Sequence, residues 1–386
     1  MLINTLPKVS IIQNRLQRGG RLQVMIYMIQ ALNNKGIIPE IITLSSRISQ
    51  NDIDKNYFTK KLKYKIVEIA KDFRMPFEWN ILYFNLIVNK YLYKYDLVIN
   101  NNNTSFFLKK SFNLISYTHF PRKARNLSLK RSIHFPNGPN KSLWDYKSDL
   151  FCISSMLYKK DTKISQNELI IANSNFTKSN ILKFYDIEPD QIKVLYPPVV
   201  DKKYNIQNRN NNIVISIGRF SPDKRQLEQI RIAKKLNNYF FYLVGFVNSE
   251  NYYKKCEDYI KLYNIKNVTL APNASKDFLS DILMKSNYFI HSLRNEPFGI
   301  TTVQAINNGL IPVVHNSGGQ KEVVTFEELR YKNIQQAVDI FQKLLRLSDS
   351  EKDSYVYNLK KNTELFSTTI FLKKFEKILS EKINIA

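Results

Sequence analysis

Short apolar runs alternate along this chain with longer stretches in which apolar positions recur every three or four residues. The first run, Val9-Ser10-Ile11-Ile12, reads as a buried strand. A loop holding Arg15, Arg18 and the pair Gly19-Gly20 follows it. Leu22, Val24, Met25, Met28, Ile29 and Leu32 then fall at helical spacing, Gly36 ends the helix, and 37–44 reads as the next strand. Strand, glycine loop, helix and strand make a βαβ opening. Residues 51–77 are polar and basic with no clear period. Residues 79–93 are apolar and aromatic with Asn and Lys interleaved, an amphipathic helix whose aromatic stripe reads as core. Strands are predicted at 95–100, at 114–121 and at 169–174, a helix at 177–184, and a short strand with a proline pair at 194–200. Residues 201–212 are nearly all polar and rich in Asn, and read as a linker.

The alternation resumes after the linker. A buried strand at 213–217 leads through Gly218-Arg219-Phe220-Ser221-Pro222-Asp223-Lys224 into a helix ending near 236. Strands at 239–244, 268–270 and 288–292 are separated by helices at 252–263 and 276–285, with His291 at the last strand's end. Next come Arg294 to Ala305, a turn with Pro297 and Gly299 that opens a short helix closed by Gly309, an apolar run at 310–314, and a second glycine turn, Gly318-Gly319. Amphipathic helices are predicted at 334–347 and 367–383. Such an order predicts an α/β protein with two Rossmann-like domains, 1–200 and 201–366, and a last helix within 367–386.

Candidate chemistry sits in the loops after strands, where open α/β sheets bind ligands. Arg219 and Lys224 share one such loop and could reach the phosphates of one ligand, or could be solvated surface. Gly19-Gly20 allows close backbone approach to a ligand, or a tight turn. His119, followed by Phe120 and Pro121, could bond a sugar hydroxyl or take a proton, or be a loop histidine without a task. The helix start near Gly299 presents N–H groups at the positive end of a helix dipole, which suits a phosphate. Glu296 precedes that helix and Gln304 lies about two turns later.

With 386 residues, 44% of them apolar, and a mean hydropathy of −0.33, the chain can build two ordinary cores as a globular protein. It has no run of about 18 uncharged apolar residues, so no membrane-spanning helix is predicted. Residues 1–10 lack the basic start and long apolar core of a signal peptide. Two cysteines, Cys152 and Cys256, exclude a disulfide framework and a four-cysteine zinc site, which points to a reducing, cytoplasmic setting. The net charge of +25 would attract anions: nucleotide sugars, an anionic membrane surface or nucleic acid. Abundant Lys, Asn, Ile and Tyr would also follow from an A/T-biased genome. Basic residues are spread along the chain and not clustered with aromatics, which argues against nucleic acid. The basic loop at 122–140, with Lys123, Arg125, Lys130 and Arg131, could receive an anionic acceptor or a membrane, or be solvated.

Glu296-Pro297-Phe298-Gly299-Ile300, then Gln304-Ala305-Ile306 and Gly309-Leu310-Ile311-Pro312-Val313-Val314, resembles the Glu-x7-Glu signature of retaining GT-B glycosyltransferases of family 4. Gly218-Arg219 with Pro222 and Lys224 resembles that family's Gly-Arg-x-x-Pro-x-Lys diphosphate motif. In wording the chain is similar to dolichol-pathway α-1,2-mannosyltransferases and their archaeal relatives, which also carry a His-aromatic-Pro like 119–121. One departure is Gln304, which stands where the signature has its second Glu. Asp52-Ile53-Asp54 matches the Asp-x-Asp pattern of metal-dependent GT-A enzymes, but lies in a charged run and is read as chance.

The resemblance implies a GT-B fold, with two parallel sheets facing across a cleft and the last helix returning to the first domain. It implies a hexosyltransferase that retains anomeric configuration and uses no metal and no cofactor. The donor would be a GDP- or UDP-linked sugar, with mannose favoured, and the acceptor a glycan, lipid-linked or protein-linked. By resemblance Arg219 and Lys224 bind the diphosphate, helped by Gly218 and the backbone of Phe298, Gly299, Ile300 and Thr301. Glu296 holds donor-sugar hydroxyls, Gln304 takes the ribose role, His119 contacts the sugar or the incoming hydroxyl, and Gly19 and Gly20 face the cleft. Peripheral association with a membrane is also expected. Two alternatives are a sugar-nucleotide-binding protein that has lost catalysis, suggested by Gln304, and a nucleic-acid-associated glycosyltransferase, suggested by the charge.

Overall fold

The computed structural model describes residues 6–17, 19–46, 62–70, 77–102, 105, 108–121, 164–200 and 212–383. The basic loop at 122–140, Asp52-Ile53-Asp54, Cys152 and most of the expected linker lie outside these residues. The chain divides into two compact units, Met1–Pro198 with Thr368–Ala386, and Val199–Ser367.

Among the described residues the main sheet of the first unit has seven strands: β1 (Val9–Ile12), β2 (Glu40–Thr43), β3 (Lys65–Glu68), β4 (Leu97–Asn100), β5 (Leu114–Thr118), β6 (Glu168–Ala172) and β7 (Ile192–Val194), and Arg15–Leu16 pairs separately with Ser45–Ser46. The seven pair in parallel in the order β3-β2-β1-β4-β5-β6-β7. Central strands of such a sheet are covered on both faces, which is why β1, β4 and β5 are buried at every position. Helices α1 (Gly20–Asn34), α2 (Phe77–Leu92) and α3 (Asn175–Phe184) supply crossovers. The run from Leu22 to Leu32 in α1 is buried nearly all round because a second helix covers its outer side. That helix is the C-terminal one, 368–383: Tyr27 meets Phe371 edge to face at 6.3 Å, and Asn34 Nδ2 donates to Glu376 Oε1 at 2.7 Å. Lys382 Nζ donates to the Asn167 carbonyl at 2.9 Å, which fixes the far end. The last helix therefore belongs to the first unit, with Lys373, Lys374 and Lys377 on its exposed side.

Two details depart from the expectations. The strand expected at 194–200 ends at Val194, because Pro197 and Pro198 have no N–H to continue a ladder. The stretch 51–77, expected to lack a period, contains β3, an edge strand whose residues are all at least partly exposed.

The second unit repeats the plan with β8 (Ile213–Ile217), β9 (Phe240–Gly245), β10 (Val268–Pro272), β11 (Tyr288–His291), β12 (Ile311–His315) and β13 (Arg330–Tyr331). These strands are parallel in the order β10-β9-β8-β11-β12-β13. Helices α4 (Gln226–Ala233), α5 (Glu250–Leu262), α6 (Lys276–Lys285) and α7 (Ile300–Asn307) connect them, and α8 (Ile334–Leu345) and α9 (Asp349–Thr363) follow. In each unit the strand order runs outward from the first strand and then reverses. Ligands bind at that switch point, outside the strands' carboxyl ends. In the second unit it lies between β8 and β11.

Helix α9, which the hydrophobic pattern does not predict, begins with a capping box: the Ser348 hydroxyl accepts from the Glu351 N–H at 3.3 Å, and Glu351 Oε2 accepts from the Ser348 N–H at 2.8 Å. Ser348→Ala should therefore cost about 1 kcal/mol of stability. Urea unfolding followed by circular dichroism measures this, and an unchanged midpoint would discount the cap.

Candidate functional site

The loop after β8 is pinned at several points. Gly218 N–H donates to the Val244 carbonyl at 2.9 Å, Phe220 N–H to the Phe246 carbonyl at 2.9 Å, and Gln226 Nε2 to the Arg219 carbonyl at 2.8 Å. Pro222, Asp223 and Lys224 form a single 3-10 turn, and Arg225 in the left-handed region (φ 58°) hands over to α4. Arg219 pairs with Asp223 at 3.0 Å, half in solvent. The Lys224 stem lies along Gly218, and its Nζ reaches across to Glu296 Oε2 at 3.1 Å.

Glu296 arrives from the loop after β11. His291, buried at that strand's last position, makes a 2.9 Å bond from Nε2 to the same Oε2. Burial alone would raise the Glu296 carboxyl, but the Lys224 cation and the His291 bond outweigh it and hold the carboxyl well below its usual range. Burial lowers His291, only partly offset by Glu296, so the ring is neutral at pH 7 and its Nε2–H is the donor to the carboxylate. Both contacts fall on Oε2. Oε1 has no protein hydrogen-bond partner among the described residues, which leaves it for a ligand hydroxyl.

A second loop, after β12, holds this one in place. Ser317 Oγ accepts from the Asn295 N–H at 2.8 Å, and the Gly319 N–H donates to the Glu296 carbonyl at 2.7 Å. A Cβ on Gly318 would stand 2.5 Å from the Glu296 carbonyl oxygen, so only glycine lets the loops lie this close. Gly299 caps α7 at φ 113°, and a Cβ there would meet the buried Gln320 amide at 2.8 Å. Phe298 is buried against Phe366, ring centroids 5.0 Å apart. Ile300 and Thr301 occupy the first turn of α7, where no preceding helical carbonyl can take their N–H groups. Gln304 is half-buried one turn beyond Ile300. The second unit thus brings Gly218, Arg219, Lys224, Glu296 and residues 298–301 together at its switch point.

The remaining candidates lie in the first unit. Gly19, at φ 141°, caps α1, of which Gly20 is the first residue. His119, just past β5, is half-buried, and its Nε2 lies 3.0 Å from Asn101 Oδ1. Asn101 Nδ2 donates in turn to the Arg21 carbonyl at 3.0 Å, so His119 and the glycine pair share one end of this sheet. Burial, with the Arg21 charge nearby, holds His119 well below the usual histidine range.

Two partners were not assigned a role from the sequence. His291 is a strand-end histidine five positions before Glu296, a spacing that flags it. Asn101 stands in a strand exit loop, where its neighbour across the sheet could not be read from the chain.

Residues 200–362 match the family model "Glycosyl transferases group 1". The GDP-Man:Man(3)GlcNAc(2)-PP-Dol alpha-1,2-mannosyltransferase of Dictyostelium discoideum is 27% identical over 301 residues, covering 69% of this chain and 59% of that protein. The Xenopus laevis enzyme of the same name is 26% identical, covering 67% and 59%. The chain thus spans about three-fifths of these relatives' length. Among solved structures, sucrose-phosphate synthase from Thermosynechococcus elongatus superposes with a TM-score of 0.74 at 15% identity, covering 99% of this chain and 100% of that one. Anabaena HepE, in complex with UDP and glucose, gives 0.69 at 15% identity, covering 97% and 100%. These glycosyltransferase neighbours share the GT-B fold. Residues 200–362 are therefore similar to the glycosyl transferases group 1, within a chain that has the GT-B fold.

Proposed function

We propose that this chain is a glycosyltransferase that moves a hexosyl group from a nucleotide-diphospho-sugar to an acceptor hydroxyl, retaining anomeric configuration and using no metal. The observation that carries the reading is the Lys224–Glu296–His291 constellation, set beside Arg219 and the start of α7 at the second unit's switch point. A sugar diphosphate carries negative charge that increases on the leaving group as the glycosidic bond breaks. Arg219 and Lys224 supply cations, and the N–H groups of Ile300 and Thr301 supply oriented dipoles. Glu296 Oε1 accepts sugar hydroxyls. The acceptor oxygen bonds to the anomeric carbon on the face that the phosphate leaves, and its proton passes to the departing phosphate oxygen.

The names of the Dictyostelium and Xenopus relatives support GDP-mannose as donor and a dolichol-linked glycan as acceptor. No helix among the described residues is long and apolar enough to cross a membrane. A chain of charge +25 working on a lipid-linked acceptor would be drawn to an anionic membrane surface.

Thermal-shift measurements with GDP, UDP, ADP and their common sugar conjugates test the reading. GDP and GDP-mannose should raise the melting temperature of the wild-type chain and not that of Arg219→Ala. No shift with any nucleotide would overturn the donor site. A specific observation, Gln304, favours a second reading, a binding protein without catalysis, and turnover with any donor eliminates it. A carboxylate accepts two charge-assisted bonds from a ribose diol, whereas an amide offers one acceptor and one donor group. Gln304→Glu should therefore tighten nucleotide binding by about 1 kcal/mol, roughly fivefold in Kd by calorimetry. Equal or weaker binding would remove residue 304 from the ribose site.

A further inference from the structure

The carboxyl end of the first sheet buries an unusual number of amides. Gln13, Asn14, Asn80, Asn100, Asn101 and Asn102 are each 1% exposed or less. They bond to one another: Asn14 N–H to Asn102 Oδ1 at 3.2 Å, Asn14 Nδ2 to Asn80 Oδ1 at 2.9 Å, and Asn102 N–H to Asn100 Oδ1 at 3.0 Å. Buried amides are costly unless paired, and these bonds fix the members that make them, while Asn14 Oδ1 and Asn102 Nδ2 find no partner among the described residues.

Gln13 and the Arg21 carbonyl decide which way Asn101 points. One of its side-chain terminal atoms lies 3.0 Å from the Arg21 carbonyl oxygen and 2.6 Å from Gln13 Oε1. A backbone carbonyl only accepts, so that atom is the amide nitrogen. Gln13 is oriented by the same logic, since its Nε2 donates to the Arg15 carbonyl at 2.8 Å and its oxygen therefore faces Asn101. Asn101 must then present its oxygen to His119 Nε2, 3.0 Å away, and Nε2 must carry the hydrogen. A neutral imidazole has one N–H, so Nδ1 holds the lone pair. The Tyr117 ring, centroid 5.0 Å from that of His119, packs beside it.

We propose that Asn101 is a positioning residue that holds His119 as the neutral Nε2–H tautomer, so that the ring meets a sugar or acceptor hydroxyl uncharged and in one fixed orientation. The substrate half of this statement rests on the proposed transferase function; the tautomer half does not. Burial of the ring and the Arg21 charge favour the same uncharged form.

The test uses the full chain with ring-15N histidine and long-range proton–nitrogen correlation spectra at pH 7. With four histidines in the sequence, the His119 signals are identified by their loss in His119→Ala. The expected spectrum has a protonated Nε2 and an unprotonated Nδ1. An Nδ1–H ring, or an averaged pair, in the wild-type chain overturns the proposal. Asn101→Ala should give a tautomer mixture and lower kcat about tenfold or more with Kd for the nucleotide unchanged. A wild-type spectrum in that variant overturns the role of Asn101. If Asn101→Ala does not fold, Gln13→Ala, which releases the Asn101 amide, should loosen the same tautomer, and the wild-type spectrum remains decisive by itself. Full transfer activity in His119→Ala would overturn the substrate half while the tautomer result stood, so the two failures are distinguishable.

Discussion

Replacing Lys224 with alanine should lower sugar transfer about a hundredfold to a thousandfold while the chain stays folded. Two losses combine. In the proposed reaction the ammonium is removed from the place where the leaving diphosphate would gather charge. The same ammonium, 3.1 Å from Glu296 Oε2, also holds that carboxylate in place and ionised. After truncation only His291 would bond to Glu296, and desolvation would push the carboxyl upward. The site is partly open to solvent, with Lys224 21% and Glu296 16% exposed, so the pair can be broken without the collapse that a fully enclosed ion pair would suffer. Lys224→Met keeps the stem beside Gly218 and should lose nearly as much activity, which separates charge from packing. Lys224→Arg should not restore it, because a planar fork cannot occupy the position of a compact ammonium against both a phosphate and Glu296. Glu296→Gln should also cost activity, and the double variant should lose less than the two losses combined, because the partners act as one unit. Steady-state kcat/KM with a nucleotide-sugar donor, with melting temperatures alongside, measures all of these. A Lys224→Ala enzyme within threefold of wild type would remove the residue from the diphosphate site.

The strands that carry the site were legible because a parallel sheet buries both faces. Ile213–Ile217 and Tyr288–His291 are apolar runs, and their exits carry the glycine or proline that the turns require. What was not legible has physical causes. β3 is an edge strand of Lys-Ile-Val-Glu, held by pairing to β2 and too short and exposed to show a period. In α9 the buried residues are Val356, Leu359 and Thr363, too few to form a stripe, although Ser348-x-x-Glu351 was a usable start signal. At the site, Arg219, Lys224, Glu296 and Gly299 could be named from local motifs. Their mutual arrangement could not. His291 meeting Glu296 depends on the turn geometry set by Asn295 at φ 54° and by the Gly318-Gly319 loop behind it. Asn101 meeting His119 depends on β4 and β5 lying side by side, a fact of topology and not of spacing.

Acidification from pH 7 toward pH 4 should destabilise the second unit before the first. His315 is pushed down to about 4 by burial and by the Arg294 charge. His291 is lowered chiefly by burial. An unfolded histidine titrates near 6.5, so between that value and the folded one the unfolded chain binds a proton that the folded chain refuses. Stability therefore falls as pH falls, by up to about 1.4 kcal/mol per pH unit for each such ring, and His315 alone accounts for about 3 kcal/mol by pH 4. Glu296, held ionised well below the usual range, adds a loss of the same sign once the pH drops below the carboxylate's unfolded value. In the first unit His119 acts in the same direction, but Glu168 acts in the opposite one. Burial raises its carboxyl, so the folded unit takes up that proton at higher pH than the unfolded chain and gains stability as pH falls. Because the two units need not unfold together, a single transition midpoint would blur the difference. Hydrogen exchange read by mass spectrometry at pH 7 and pH 5 follows each unit separately. Faster opening of 213–345 than of the first sheet at pH 5 is the expected result. His315→Gln, which keeps a polar group for Ser317 but cannot be protonated, should flatten the pH slope of the second unit and leave the first unchanged. Equal protection at both pH values, or earlier opening of the first unit, would show that these buried rings do not set the acid response.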